Sequence, residues 1–444
     1  MNHASIALVG TYPPTQCGLA TFTRSSAMAM SQDRRVGVIE LLDVPRGNAA
    51  SIVAGSWLRG NRQSMLAAAA ALRTFDAVIL EHEFGIYGGT DGDEALDLAR
   101  LLPIPIVSVI HTVLEQPSSH QRFILEELTQ RCDAVVTLTE TGRRRLLSSI
   151  SIEPSKLFVI PHGAHEVRSR YSTFTGGSVS FLQMLKPSEE LGNQSTSVSS
   201  SNPSSSPMKW DRSNLPFANL VWPATQQPKR DQPKVILTWG LLGPGKGLEY
   251  AIDALALLKD LGQAPEYWIV GETHPKIRET SGEAYRESLV NRAIEAGVRH
   301  LVKFFGGYRD LTALHELIMQ ADLVVLPYES REQVTSGVLV EAIAAGLPVV
   351  ATDFPHAREL LVQGCGLVVQ HDDPKAMAAA IQEVLTNESL HFRLCAAARR
   401  IGPSLYWPEV GRSFGALVDR CVAARTERAT KVNEHVILDP LLVG

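Results

Sequence analysis

The sequence predicts an α/β protein built from two doubly wound parallel-sheet domains in tandem. Three observations carry that expectation. Short runs rich in Val and Ile alternate with amphipathic stretches over the first third of the chain, the alternation restarts after residue 233, and a Ser/Pro-rich segment lies between. Alternation of this kind argues for a parallel sheet covered by helices on both faces.

In the first half, buried strands are expected at Ala4–Gly10, Val36–Asp43, Asp76–Glu83, Ile104–Thr112, Asp133–Thr139 and Lys156–Pro161. They are short, β-branched and closed by Gly, Pro or His. Helical patterns fill Asn61–Thr74, Gly92–Leu101 and His120–Arg131. In the second half, strands are expected at Lys234–Leu242, Glu266–Glu272, Leu301–Gly307, Asp322–Tyr328, Pro348–Asp353 and Gly366–Gln370. Helices are expected at Gly247–Leu261, Ser281–Ala296, Asp310–Gln320, Ser336–Ala345 and Pro374–Leu385. Pro374 behind Asp372 and Asp373 is a helix start, an acidic cap followed by proline in the first turn.

Between the halves, eight of the twelve residues Ser195–Ser206 are serine. Such a stretch buries too little apolar surface to offset its chain entropy, so most of 168–232 is expected to be disordered. Trp210, Phe217 and Trp222 are its candidate docking points, and both an insertion and a functional lid fit. The expected organisation is residues 1–167 as the first domain, 168–232 as the insertion, 233–405 as the second domain, 406–428 as a C-terminal helix and 429–444 as a tail.

With 444 residues the chain exceeds one compact core. A formal charge of −5 provides no global pull towards nucleic acid or anionic lipid. The local basic run Arg143–Arg145 reads as a solvated helix face. Five widely spaced cysteines without a C-x-x-C pair signal neither a zinc cluster nor a disulfide framework, and reduced thiols fit a cytoplasmic setting. The N-terminus lacks a basic flank before an apolar core, and no apolar run approaches the ~18 residues of a membrane span. A soluble protein is expected, with a peripheral membrane contact left open.

In open parallel sheets, ligands bind beyond the carboxyl ends of the strands, so the residues following each strand are the candidates. The first strand runs into Gly10–Thr23, where a helix starting near Gly18 presents unpaired N–H groups to an anion. An ordinary Pro/Gly turn explains the same residues. The third strand ends in Glu81-His82-Glu83, followed by a Gly-rich loop containing Tyr87; by strand alternation the two carboxylates share a side and His82 faces opposite. These residues read as ligand contacts or as polar caps over the sheet. Asp91 and Asp93 read as an acidic helix start rather than a metal site. His111 follows the fourth strand at the mouth of the crevice, a structural or a functional position.

In the second half, Gly240–Gly247 joins a strand to a helix. Lys246 on this Gly-rich turn, beside Gly245, is placed to meet a phosphate as a point charge. The strongest segment is Pro327–Thr352. Thr335 or Ser336 caps a helix whose first N–H groups, expected free at Ser336, Gly337 and Val338, suit a diphosphate. Glu341 stands about 7.5 Å further along the axis, a distance suited to the ribose beside that diphosphate.

Taken together and in this order, Gly10–Gly18, Ile-Pro-His-Gly at 160–163, Gly-Lys-Gly at 245–247 and Leu-Val-Glu-Ala at 339–342 with the Ala-Gly-Leu-Pro-Val-Val-Ala run behind it resemble glycosyltransferase family 4. The resemblance covers nearly all of the chain except the insertion, and the Glu81–Gly89 run is similar to one subgroup. It implies a GT-B fold, two Rossmann-like doubly wound domains facing across a cleft, and a hexosyltransferase that acts with retention. It implies a nucleotide-diphosphate sugar as co-substrate and no other cofactor, no metal, and a carbohydrate or other hydroxyl acceptor as the second partner. Glu341 would bind the ribose, Lys246 the diphosphate, and Thr335–Val338 phosphate and sugar oxygens. His111 would touch the donor sugar near the reacting centre. Gly18, Glu81, His82, Glu83 and Tyr87 would line the acceptor side, with Gly18 also near the donor. The helix around Trp407–Arg425 would cross back to the first domain. Two positions depart from the family pattern: Gln333 stands where a first glutamate is usual, and Leu241 where a basic residue is. Arg278, Arg309 and Arg331 are candidates for the missing charge. A non-catalytic sugar-nucleotide binder is the rival reading, and a GT-B isomerase or glycan phosphorylase the third.

Overall fold

The structure, a computed structural model, describes residues 3–47, 50–167, 232–307 and 311–437. The expected insertion at 168–232, save its last residue, lies outside them, as do Arg309 and the end of the expected tail.

The first domain is a parallel sheet of β1 (Ile6–Gly10), β2 (Val36–Leu42), β3 (Val53–Leu58), β4 (Ala77–His82), β5 (Ile106–Ile110), β6 (Ala134–Thr137) and β7 (Leu157–Val159), in the order β3-β2-β1-β4-β5-β6-β7. Helices α1 (Gly18–Met30), α2 (Arg62–Leu72), α3 (Glu94–Leu101), α4 (Ser119–Arg131) and α5 (Glu140–Ser149) cover it. Both faces are dry. Ala7 and Val9 pack with α2, α3 and α4, whereas Ile6 and Leu8 of the same strand pack with α1 and the C-terminal helix. The alternating side chains of a strand are thus apolar on both sides, which is why β1 reads as an unbroken hydrophobic run.

The second domain repeats the plan with β8 (Val235–Trp239), β9 (Glu266–Val270), β10 (Val302–Phe305), β11 (Leu323–Leu326), β12 (Val349–Thr352) and β13 (Gly366–Val369), ordered β10-β9-β8-β11-β12-β13 and parallel throughout. Around it lie α6 (Leu248–Ala256), α7 (Pro275–Ser281), α8 (Ala284–Glu295), α9 (Leu311–Gln320), α10 (Gly337–Ala344), α11 (Pro355–Leu361), α12 (Pro374–Thr386) and α13 (Glu388–Ile401). The side chain of Asp373 caps α12 by accepting the Ala376 N–H at 2.9 Å, and Asn387 caps α13 by accepting that of Leu390 at 3.0 Å. Each cap satisfies one donor that the first helical turn leaves over.

α14 (Trp407–Ile437) returns to the first domain. Val410, Phe414, Leu417 and Val418 join Phe22, Ala27 and Met30 of α1 in one apolar cluster. Close approach of the two helices requires Gly411, where a Cβ would stand 2.8 Å from that of Ala29. The segment after β7 crosses in the other direction: Ala164 bridges to Tyr406 and packs into the core of the second domain. The helix runs on to Ile437, past residue 428, the limit expected from the sequence. In each sheet the strand order reverses beside one central strand, β1 and β8, and a crevice opens there at the carboxyl ends.

Candidate functional site

The second-domain crevice is built by two strand ends and a helix start. β8 delivers Gly240–Gly247, β11 delivers Pro327–Ser336, and α10 begins between β11 and β12. The Ser336 side chain caps α10, accepting the Leu339 N–H at 3.2 Å. One sequence expectation is corrected here: the Ser336 N–H is not free, because it donates to His356 Nδ1 at 2.8 Å. The open donors at this helix start are therefore Gly337 and Val338, which by helix geometry have no intrahelical acceptor.

Burial, with the charge of His162 second, pushes His356 down to about 3. Its ring is thus neutral at neutral pH and keeps the lone pair that holds the loop.

Glu341 lies one and a half turns into α10, with 20% of its side chain exposed. Trp239 Nε1 donates to its Oε2 at 3.3 Å, and His165 Nδ1 stands 3.8 Å from Oε1. Gln333 does not reach into the same space: its Nε2 donates to the Thr335 carbonyl at 3.0 Å, so the amide braces its own loop. The Thr335 hydroxyl is buried with no hydrogen-bond partner.

Lys246 rides a turn locked by Gly247, whose φ is +63°, and by the Glu329 N–H donating to the Gly245 carbonyl at 3.1 Å. Its ammonium sits 4.6 Å from the centroid of the Tyr328 ring, a cation–π contact that aims it without neutralising it. Leu241 is half-buried, and Arg278 and Arg331 pair weakly with Glu272 (3.9 Å) and Asp372 (3.4 Å) at the surface.

The first domain closes the other wall. His111, directly after β5, stacks edge-on against Phe22 at 4.7 Å, and Phe22 meets His162 at 5.1 Å. His162 in turn lies against the start of α10: a Cβ on Gly337 would be 2.9 Å from its Nε2. The structure therefore links His111, His162, the α10 N-terminus and Glu341 into one continuous set across the two domains. His162, His165 and His315 of α9 were not singled out in the sequence; only the position of His162 in the Ile-Pro-His-Gly run marked it.

Other expected site residues are placed differently. Glu81 is wholly buried and bonded to His111, and Glu83 accepts from the Thr112 hydroxyl at 2.5 Å. His82 and Tyr87 are in the core rather than on the cleft: His82 packs against Phe84 and Tyr87, and the Tyr87 hydroxyl donates to the Glu81 carbonyl at 2.6 Å. An acceptor cannot reach either without the sheet opening. Gly18 stands exposed at the start of α1 with open space where a side chain would be. Asp91 and Asp93 both face His120, at 3.1 and 3.8 Å. Among the described residues no group of three His, Cys, Asp or Glu side chains is arranged to hold a metal ion.

Two contacts pin the domains together beside this cleft, and neither was visible in the sequence. The Glu359 carboxylate of α11 accepts the N–H groups of Glu140 and Thr141 at 2.7 and 2.8 Å, capping α5 of the opposite domain. Arg145 is not the solvated side chain its basic run implies. It is 14% exposed and reaches the Glu332 carboxylate at 2.8 Å.

Burial makes these histidines a linkage device. His82 and His162 are pushed down to about 4 by desolvation, and His356 to about 3. An unfolded histidine titrates near 6.5, so between about 6.5 and 4 the unfolded chain binds more protons than the folded one. Stability is complete above that window and falls as pH drops through it. The melting temperature is expected to decline from pH 7 to pH 4, less steeply in a His82→Leu variant than in the parent.

Comparison with known proteins decides the family. Residues 28–168 match the family described as Glycosyltransferase Family 4, and residues 224–401 match Glycosyl transferases group 1. The chain belongs to this GT-B glycosyltransferase family. Among its relatives, glycogen synthase of Mycobacterium tuberculosis is 29% identical to this family 4 chain over 226 residues, 49% of this chain and 50% of that protein. Lipopolysaccharide glucosyltransferase WaaG of Escherichia coli K12 is 30% identical over 173 residues, 38% and 42% of the two chains. The match thus spans about half the length of the curated relatives or less. The structure of Alr3699/HepE of Anabaena in complex with UDP aligns with a TM-score of 0.64 at 16% identity, over 94% of this chain and all of that one. That likeness shows the GT-B fold. Among the described residues no helix is long and apolar enough to cross a membrane.

Proposed function

We propose that this protein is a retaining glycosyltransferase that moves a hexosyl unit, mannose or glucose, from a nucleotide-diphosphate sugar to a hydroxyl acceptor. The observation that carries this reading is the α10 helix start. Two unpaired N–H groups, a lysine on a locked turn and a carboxylate one and a half turns along the helix converge at one strand-order reversal. In this reading the diphosphate rests on Gly337 and Val338 with Lys246 as counter-charge, and Glu341 takes the ribose hydroxyls. Relatives named as sugar transferases, and a like-folded protein whose structures hold UDP and UDP-glucose, support it.

The reaction breaks the bond from the sugar C1 to the leaving phosphate oxygen and forms one from C1 to the acceptor oxygen on the same face. The acceptor's proton passes to the departing phosphate. Lys246 and the helix N–H dipoles stabilise the negative charge that grows there, so a divalent cation is not required. Closure of the domains, held by Glu359 and Arg145, excludes water that would hydrolyse the donor.

A second reading, a sugar-nucleotide binder without transfer, is favoured by one observation: Gln333 supplies an uncharged amide and spends it on its own loop. Calorimetry with UDP, GDP and ADP in a chelating buffer tests the first part. Binding of one of them is expected, and binding of none would sink both readings. Incubation of the matching nucleotide sugars with a panel of hydroxyl acceptors then separates them, since the binder forms no glycoside.

A further inference from the structure

The buried pair beneath the cleft has a job that the reading above does not assign. Glu81 is 0% exposed at the carboxyl end of β4, and its Oε2 lies 2.7 Å from Nε2 of His111. A carboxylate out of water is costly unless it is paired and hydrogen-bonded. Here its main chain is tied by the Tyr87 hydroxyl at 2.6 Å, and its stem packs closely over Gly10, where a Cβ would be 3.2 Å from Glu81 Cβ and Cγ. The second oxygen, Oε1, has no hydrogen-bond partner.

His111 is held equally firmly. Its backbone N–H donates to the His82 carbonyl at 3.0 Å, and its ring stands perpendicular to Phe22. An ionised carboxylate at 2.7 Å accepts from Nε2, so the proton of a neutral imidazole is placed there and Nδ1 is left as the acceptor. The His111 side chain is 12% exposed. A ring with one nitrogen on a buried carboxylate and the other open to a cleft is the arrangement by which proteins select a histidine tautomer.

We propose that Glu81 is a positioning residue: it fixes His111 as the Nε2–H tautomer, so that Nδ1 accepts a hydrogen bond from a hydroxyl of the sugar in the cleft. Glu81 therefore acts through His111 and does not touch the acceptor, unlike the role expected from the sequence. The identity of the hydroxyl rests on the transferase reading; the tautomer does not.

The test is long-range proton–nitrogen NMR on the full chain with labelled histidine, His111 being assigned from a His111→Gln variant. The wild type is expected to show Nδ1 bare and Nε2 protonated. Glu81→Gln, nearly isosteric, places an NH2 donor in the pocket and is expected to shift the ring towards the Nδ1–H form. With the substrates identified above, it should lower kcat by about 10²-fold while donor KM and nucleotide affinity stay within about twofold. A wild-type spectrum with the proton on Nδ1 overturns the proposal, as does a Glu81→Gln enzyme with unchanged tautomer and kcat. If Glu81→Gln fails to fold, the wild-type spectrum still decides. Absence of transfer by the wild type counts against the transferase reading alone, because the tautomer is read without turnover.

Discussion

Glu341→Ala is expected to lower kcat/KM for sugar transfer by about 10²- to 10⁴-fold and to weaken nucleoside diphosphate binding by a similar factor, since two hydrogen bonds to a charged group contribute about 1.5–3 kcal/mol each. The carboxylate is held before any ligand arrives. Trp239 Nε1 lies 3.3 Å from one oxygen and His165 Nδ1 3.8 Å from the other, while the helix fixes its distance from the Gly337 and Val338 donors. Little ordering remains to be done on binding, which is why truncation removes nearly the whole contact. Glu341→Gln keeps the shape, loses the charge, and should fall between parent and alanine variant. Calorimetry and initial rates read the effect, with a melting curve to confirm the fold. Parent-like affinity in Glu341→Ala would remove the nucleotide from this end of α10.

Gly247→Ala is expected to destabilise the protein by about 3–5 kcal/mol, a size reserved for clashes and strained backbone. Residue 247 has φ +63°, and a Cβ built on it would stand 1.9 Å from the carbonyl oxygen of Pro327. That carbonyl follows β11 directly and belongs to the backbone of a buried central strand, so it has little room to yield. Gly245 supplies the contrast. Its φ is +86°, but nothing lies within 4 Å of the same construction. Gly245→Ala therefore costs only the left-handed backbone term, about 1–2 kcal/mol. Urea unfolding of the two variants checks the pair. Equal destabilisation would mean that the turn carrying Lys246 is not wedged against Pro327 at all.

The parallel strands were legible because a strand buried on both faces has nothing polar to interrupt it. β1 and β11 are such runs, and β12 is one up to its terminal Thr352. β3 was not expected, because it is an edge strand whose first four residues alternate between half-buried and exposed, with Gly55 among them and only Trp57 fully buried. α7 and α11 are only seven residues long, too short for a 3.6-residue period to declare itself. α13 follows α12 after a single capping residue, Asn387, so the sequence shows no loop between them. The donor-side residues were legible for a local reason: cap, helix and carboxylate are neighbours in one segment. On the acceptor side, alternation correctly put His82 opposite Glu81, but could not show that the carboxylate side faces another side chain and not open cleft.

By itself, the sequence determined the short-range parts: two runs of strand–helix units, a capped helix with Glu341 on it, and a Gly-rich turn with Lys246. Each rests on periodicity or turn chemistry within a few residues. Tertiary structure alone decided which groups meet. Glu81 and His111 are 30 positions apart, Arg145 and Glu332 187, Glu140 and Glu359 219. A parallel sheet brings the carboxyl ends of distant strands to one edge, and the closing of one domain on another selects the partners there. No local pattern in a single segment encodes that selection.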